Sequence, residues 1–385
     1  MIKNRYLFIM NAFFTLVCAY FAFFSPINYS NLVFAESEKL SSAKAMATIE
    51  KTSGRVLYCE NENEKLPMAS TTKIITAIYV IENNNDLNKL ISIPKEAVGI
   101  EGTSIGLKEG EHLTIKELLY GLMLRSGNDS AVALAIATSG SEEKFVCDVN
   151  DFLKQKGFLN THLKNPHGLP DEEHYTTALD LANITAYAMQ NPIFCEIVST
   201  KEKAISNELK TKTSRNLINK NKLLTNFEFA DGVKTGYTRK AGRCFVGSAT
   251  KDGMSVICVL LNCAPMFEDC EKLLNMAFDE YKMYKIMGQG DKLGEIQIEK
   301  GYEDKLEVLA PCDFYYPLKT SELGGVEVEV DIPKKLFAPV HFNEPIASIK
   351  ISLANQLIFS EKIYSIKDIK NNSFTAEFKR IVEKM

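Results

Sequence analysis

The feature that most restricts what this chain can fold into is a change of hydrophobic period near residue 229. From about residue 70 to residue 190, apolar side chains recur at the spacing of one helix face. Beyond residue 229, "GRCFVGSAT" and "MSVICVLLN" flank Asp252-Gly253, a dipeptide that supplies the positive φ angles of a tight hairpin. Helices followed by antiparallel strands exclude an all-α or all-β chain and predict an α+β fold.

Local signals divide the chain further. Residues 47–59 read as strand, "KTSG" turn and strand. A helix starting after Pro67 stops at Asn83-Asn84-Asn85, and Thr114 with Glu117 forms a capping box for the next one, which breaks at Ser126-Gly127-Asn128-Asp129. Further helices are predicted over 141–156, over 177–190 closed by Asn191-Pro192, and over about 268–285. Residues 290–370 carry short alternating strands such as "EVEVDI" and "ASIKISL", which predict a small C-terminal all-β domain.

At 385 residues, with 45% hydrophobic and 24% charged residues, the chain has the composition of a folded globular protein. Residues 1–35 stand apart. Lys3 and Arg5 precede an almost wholly apolar stretch, Tyr6 to Phe24, and Val33-Phe34-Ala35 has the small-residue pattern of a cleavage site. We read a signal peptide over 1–35, with an uncleaved anchor as the alternative; either way the remainder is expected to be exported and extracytoplasmic. Loss of Lys3 and Arg5 takes the net charge from −4 to −6, which does not suit nucleic acid. The expected units are therefore 36–286, 287–370, and an amphipathic helix over 371–385 that places Phe374, Phe378, Ile381, Val382 and Met385 on one face. Such a helix can lie on a membrane surface but is too short to span it. The eight cysteines beyond residue 35 match no disulfide framework, and Cys263 and Cys270 read as packing rather than as a redox pair. No close His pair or Cys-x-x-Cys appears, so neither metal nor cofactor is expected.

The chemistry starts with "MASTTKIITA". Ser-x-x-Lys occurs four times in the chain, but only Ser70 and Lys73 open an apolar helix. There the unsatisfied N–H groups and the dipole favour negative charge beside the serine. A lysine held in such a place has its neutral form favoured and can take the serine proton. Ser126 and Asn128, on the interhelical break, offer a hydroxyl for proton relay and an amide to hold substrate. In "DGVKTGY", the single Lys-Thr-Gly of the chain, Lys234 supplies positive charge and Gly236 permits close approach of a ligand backbone.

In this order and context the three motifs resemble the signature set of penicillin-recognising serine acyl transferases. Through "TSGRVLY", "LMLRSGNDSAVALA", "NPHGLPDEEHYTTALDLA" and "DGVKTGYTRKAG" the chain resembles more closely the serine-type D-alanyl-D-alanine carboxypeptidases, the low-molecular-mass penicillin-binding proteins. The resemblance implies a helical cluster on an antiparallel sheet, as in serine β-lactamases and DD-peptidases, followed by a small β domain. It implies removal of the terminal D-Ala from peptidoglycan stem pentapeptides through an acyl-enzyme on Ser70, inhibition by β-lactams, and attachment to the outer face of the cytoplasmic membrane. By motif it makes Ser70 the nucleophile, Lys73 the base, Ser126 the relay and Asn128 a substrate contact. Lys234 and Thr235 would receive the terminal carboxylate, and the N–H groups of Ser70 and Tyr237 would form the oxyanion hole. Lys220 falls where relatives commonly have an arginine that helps bind the carboxylate.

Two rival enzymes and one binding protein share the motifs. A class A β-lactamase needs Glu-x-x-Leu-Asn between the second and third motifs, whereas "EKLLN" here lies at 271–275, after the third. The others are a transpeptidase or endopeptidase acting on cross-links, and a β-lactam sensor that is acylated without turnover. His167 in "NPHGLP" suggests a Ser-His pair, but with Lys73 in place a structural role is expected for it.

Overall fold

The computed structural model describes residues 39–205 and 215–372, together with Phe378 and Val382. The expected signal peptide, and the expected C-terminal helix apart from Phe378, Val382 and its first two residues, lie outside the described residues.

Five strands form one antiparallel sheet in the order β2-β1-β5-β4-β3, where β1 is Ala45–Glu50, β2 Val56–Glu60, β3 Ala230–Thr238, β4 Gly242–Lys251 and β5 Met254–Leu261. Asp252 and Gly253, at φ 50° and 80°, close the β4–β5 hairpin as their types predict. In the turn between β1 and β2, the Glu50 carboxylate accepts the N–H groups of Thr52 and Ser53 at 3.1 and 2.7 Å.

Side chains alternate along a strand, so the register sorts this sheet into two faces. Ala47, Ile49, Val246, Ile257 and Val259 enter the core shared with the helical cluster. On the other face Phe245 packs against Phe267, ring centroids 4.9 Å apart, and Gly247 lies against Cys270. Both faces being covered, β5 reads as the unbroken apolar run "SVICVLL" instead of alternating.

The helices are α1 (Lys73–Glu82), α2 (Ile115–Leu124), α3 (Asn128–Ser139), α4 (Glu142–Gln155), α5 (Ala178–Ala188), α6 (Pro192–Ser199), α7 (Leu223–Asn226) and α8 (Met266–Glu280). α1 is central: it touches each of α2 to α6, and all its residues but Tyr79 and Glu82 are buried. This is the packing expected of a helix that is apolar all round. Capping fixes the register of the others. Thr114 and Glu117 bond reciprocally at 3.1 and 2.9 Å, Ser141 caps α4, and Thr177 caps α5. Asn191, predicted to close α5, also caps α6, with Pro192 in its first turn.

Two expected boundaries move. The first turn after Pro67 is a 3-10 turn, Ala69–Thr72, with the α-helix beginning at Lys73. The helix expected over 268–285 ends at Glu280, because Lys282–Met287 (β6) pairs with Phe314–Leu318 (β9) and inter-strand pairing overrides the local helical spacing. The C-terminal ladders thus begin ahead of the expected 286/287 division. Between and after these lie β7 (Lys292–Glu299), β8 (Lys305–Leu309), β10 (Val326–Asp331), β11 (Lys335–Phe337), β12 (Pro345–Leu353) and β13 (Gln356–Tyr364). They form the sheets β8-β7-β11 and β10-β12-β13 around a separate core that includes Ile296, Val308, Ile349 and Ile351. Arg55, in the turn before β2, joins the two regions: its guanidinium donates to Pro317 O, pairs with Glu322 at 2.5 Å and lies over the rings of Tyr281 and Tyr316. The eight cysteines at 59 and beyond are unpaired, and Cys244, Cys258, Cys263 and Cys270 are buried.

Candidate active site

The three motifs, more than fifty residues apart from one another in sequence, meet at the end of α1. Ser70 sits on the 3-10 turn, and Lys73, one turn on, is fully buried with its Nζ 3.0 Å from Ser70 Oγ. The same nitrogen donates to Asn128 Oδ1 at 2.7 Å and to the backbone carbonyl of His167 at 2.6 Å. Burial, then the charges of Lys234 and Lys220, hold the Lys73 amine well below the ordinary lysine range, with Asp129 pulling the other way. A neutral amine has two N–H bonds and one lone pair. With the two N–H bonds given to Asn128 and His167, the lone pair is left for the Ser70 hydroxyl.

The turn bearing Ser70 is held from below by the 165–169 segment. Thr76 donates to Pro166 O at 2.7 Å, and Gly168 sits so close that a Cβ there would fall 1.9 Å from Ala69 O. Ala69 itself has φ +49°. His174 Nδ1 accepts the Lys164 N–H at 3.1 Å, so Nε2 carries the proton and donates to Thr72 Oγ at 2.8 Å, while Thr72 in turn donates to Ala69 O at 2.7 Å. Burial first, then nearby positive charge, pushes His167 down to about 3. Burial likewise takes His174 down to about 4, against the opposing charge of Asp171. Both rings are neutral at pH 7. The His167 carbonyl, not its imidazole, meets the Lys73 amine; its Nδ1 accepts the Leu169 N–H at 3.3 Å, which leaves a Ser-His pair without geometry.

From the other side, Asp129 clamps the 104–107 loop, accepting from Ile105 and Leu107 N–H at 3.0 and 3.1 Å and from Ser104 Oγ at 2.5 Å. Asn128 N–H bonds Thr103 O at 2.7 Å, and Asn128 Nδ2 donates to Glu101 O at 2.6 Å. Asn128 therefore has both ends of its amide engaged and here positions Lys73. On β3, a Cβ on Gly236 would lie 2.9 Å from Ser70 N and 3.1 Å from Thr71 N. Only a glycine lets this strand pass so near the N-terminal end of the turn.

Above these groups opens a cleft of about 410 Å³. Ser70, Ser126, Lys220, Thr235, Gly236 and Tyr237, all singled out in the sequence, line it. Ser126 reaches it from a residue with φ +64°. Lys220 Nζ points to Thr103 Oγ1 at 3.4 Å. Lys234 is almost wholly buried beneath, donating to Thr235 O at 2.9 Å, and burial followed by the Lys220 charge takes its amine down to about 7. Four lining residues escaped the sequence reading: Thr103, Arg243, Met266 and Phe267. The carbonyls of His167 and Glu101 escaped it as well, since a backbone acceptor leaves no mark on residue type. Glu271 of "EKLLN" lies on α8 and is not among the lining residues; among the described residues no carboxylate lines the cleft.

Comparison with known proteins agrees with this geometry. A family profile described as D-alanyl-D-alanine carboxypeptidase matches residues 32–264, and one described as penicillin-binding protein 5, C-terminal domain, matches residues 281–371. The chain is 30% identical over 354 residues to D-alanyl-D-alanine carboxypeptidase DacF of Bacillus subtilis, covering 89% of this chain and 90% of that one. It is similar to the crystal structure of penicillin-binding protein 5 from Haemophilus influenzae, with TM-score 0.74, 25% identity, and 86% and 98% of the two chains covered. It also resembles a mutant of the Streptomyces K15 DD-transpeptidase, with TM-score 0.59, 31% identity, and 62% and 98% covered. With a buried Lys73 amine 3.0 Å from Ser70 Oγ, a Lys-Thr-Gly strand beside it and these matches over both regions, the chain belongs to the D-alanyl-D-alanine carboxypeptidase family and is a serine peptidase.

Proposed function

We propose that this carboxypeptidase activity runs through an acyl-enzyme on Ser70 with peptidoglycan stem pentapeptides as substrate. The observation that carries this reading is the set of three contacts on Lys73 Nζ, which aims a lone pair at Ser70 Oγ. Lys73 takes the Ser70 proton as Oγ adds to the carbonyl of the penultimate D-Ala. The N–H groups of Ser70 and Tyr237, adjacent where Gly236 touches the turn, stabilise the oxyanion. The proton passes from Lys73 through Ser126 to the leaving nitrogen, the C–N bond breaks and free D-Ala departs. Water then cleaves the ester, returning the proton to Ser70. A β-lactam enters at the same step and stays bound to Ser70, because its leaving nitrogen remains tethered.

The 36–385 protein is expected to release D-Ala from a peptide ending in Lys-D-Ala-D-Ala, and its Ser70→Ala variant to release none. A folded, penicillin-labelled wild type that releases none would instead indicate a sensor or an enzyme for cross-links.

We also propose that the enzyme is exported and rests on the membrane surface through its C-terminal end. Among the described residues no helix is long and apolar enough to cross a membrane. Phe378 and Val382, one helical turn apart, are helical and exposed, which supports contact with lipid lying in the surface plane. Vesicles containing anionic lipid are expected to sediment the 36–385 protein and to leave a 36–372 protein in solution; equal sedimentation of the two would remove this role.

A further inference from the structure

One charged pair beside the cleft lies outside the steps above. Glu111, at the end of the 101–111 loop, is almost wholly buried, and Arg215, which opens the strand Arg215–Ile218, covers it. The two ends of the guanidinium meet the two carboxylate oxygens: Nη1 donates to Oε1, and Nη2 to Oε2 at 2.8 Å. Nη2 also donates to Gly106 O at 2.8 Å, and Glu111 Oε2 accepts the Lys108 N–H at 3.1 Å. Arg215 therefore grips the loop at two points, one of them a bidentate fork.

Such a pair is a poor source of stability alone, because the cost of taking both charges out of water offsets much of their attraction. Its effect lies in where it holds the loop. Asn128 and Asp129 both belong to α3, so the bonds from Asp129 to residues 104–107 tie the loop only to that helix. Arg215 ties it to a different element, the strand that leads to Lys220 in the cleft lining. Pinned from both, the loop meets Asn128 with three consecutive residues. Glu101 O accepts from Asn128 Nδ2 at 2.6 Å, a Cβ on Gly102 would lie 2.8 Å from the same Nδ2, and Thr103 O accepts the Asn128 N–H at 2.7 Å. The other end of that amide, Oδ1, takes an N–H of Lys73. A continuous run of contacts thus leads from Arg215 through the loop and Asn128 to the nitrogen at Ser70.

We infer that Arg215 and Glu111 are a positioning pair for the base: they hold residues 101–107 against Asn128 and so keep the Lys73 lone pair aimed at Ser70 Oγ. This inference rests on the reading of Lys73 as the base.

The test is single-turnover acylation of Ser70 by benzylpenicillin, which needs no D-Ala release. It yields separately the labelled fraction, the dissociation constant of the initial complex and the acylation rate constant. Arg215→Met with Glu111→Leu removes both charges together, so no unpaired charge stays buried. This double variant is expected to lower the acylation rate constant about 10- to 100-fold, the scale of an ångström's misplacement, and to change the dissociation constant less than about threefold. Arg215→Lys keeps Glu111 paired but cannot hold the fork and Gly106 O together, and should lose about 3- to 10-fold, the scale of one hydrogen bond. If the double variant does not fold, the Arg215→Lys rate decides. A structural role alone would lower the Tm or the labelled fraction and leave the rate constant of the labelled molecules unchanged. That result is expected for Arg55→Met with Glu322→Leu, a pair that lines no part of the cleft. Wild-type rate constants in the Arg215 variants, or a change confined to the dissociation constant, would overturn the inference. Lys73→Met in the same assay separates the two readings. If it acylates within about tenfold of wild type, Lys73 is not the base and both readings fall. If it is slow while the Arg215 variants keep the wild-type rate, only the positioning pair falls.

Discussion

Replacing Lys73 by methionine is expected to slow acylation of Ser70 by penicillin about 10³- to 10⁴-fold, at the upper end of what a single general base contributes. Methionine nearly matches the buried volume of the lysine stem, so the site should survive. The acceptors Asn128 Oδ1 and His167 O lose their partner, at a cost of about 1–3 kcal/mol each. A fall in Tm with a retained unfolding transition is therefore expected alongside the loss of rate. The pH profile separates the base from a merely structural lysine. Lys73 must be neutral to act, so in wild type the rate rises with pH as this amine, held well below the usual lysine range, gives up its proton. Lys234 is useful only while charged, so the rate falls again as pH passes through about 7. A bound carboxylate favours the charged form of Lys234, which should move the falling limb upward in kcat relative to kcat/KM. The methionine variant should lose the rising limb. A variant that kept it, or that acylated within tenfold of wild type, would show that another group takes the serine proton.

The largest expected effect on the fold comes from Gly168→Ala. The added methyl would meet Ala69 O at 1.9 Å and Ala69 C at 2.4 Å, both backbone atoms, at a residue whose φ of +92° already disfavours any side chain. Nothing there can swing aside, since Ala69 O is itself held by Thr72 and the next residue is Ser70. A destabilisation of about 2–5 kcal/mol is expected, overpacking of about 1–3 kcal/mol added to the left-handed cost of about 1–2 kcal/mol. Gly110→Ala is the control. It has φ +72° but open space around its Cβ position, so only the intrinsic left-handed cost of about 1–2 kcal/mol applies. Urea denaturation of both variants measures the difference; equal midpoints would mean that the 165–169 segment does not brace the turn that bears Ser70. A surviving fraction of Gly168→Ala protein should acylate slowly, because the turn must shift to admit the methyl.

Much of this molecule could be read from the residues. Capping pairs such as Thr114–Glu117 and the Asp252-Gly253 turn act over a few residues, so their geometry is local and their types suffice to announce it. Gly236 and Lys73 were legible through context: each motif is weak alone, and their order along the chain together with the apolar helix that Ser70 and Lys73 open singled them out. Less was legible at the far end of α8, where Lys282–Met287 leaves its helical spacing for pairing with a strand about thirty residues away.

The sequence by itself determined the class of fold, a candidate nucleophile with its candidate base, and the order of the three motifs along the chain. Only the tertiary structure decided what surrounds them. The carbonyl of His167, the engaged amide of Asn128 and the close seat of Gly168 depend on chain segments brought together by packing. Such contacts run through backbone atoms and cross-strand register. Neither is written in any residue's identity, so both emerge only when the sheet, the helices and the intervening loops close on one another.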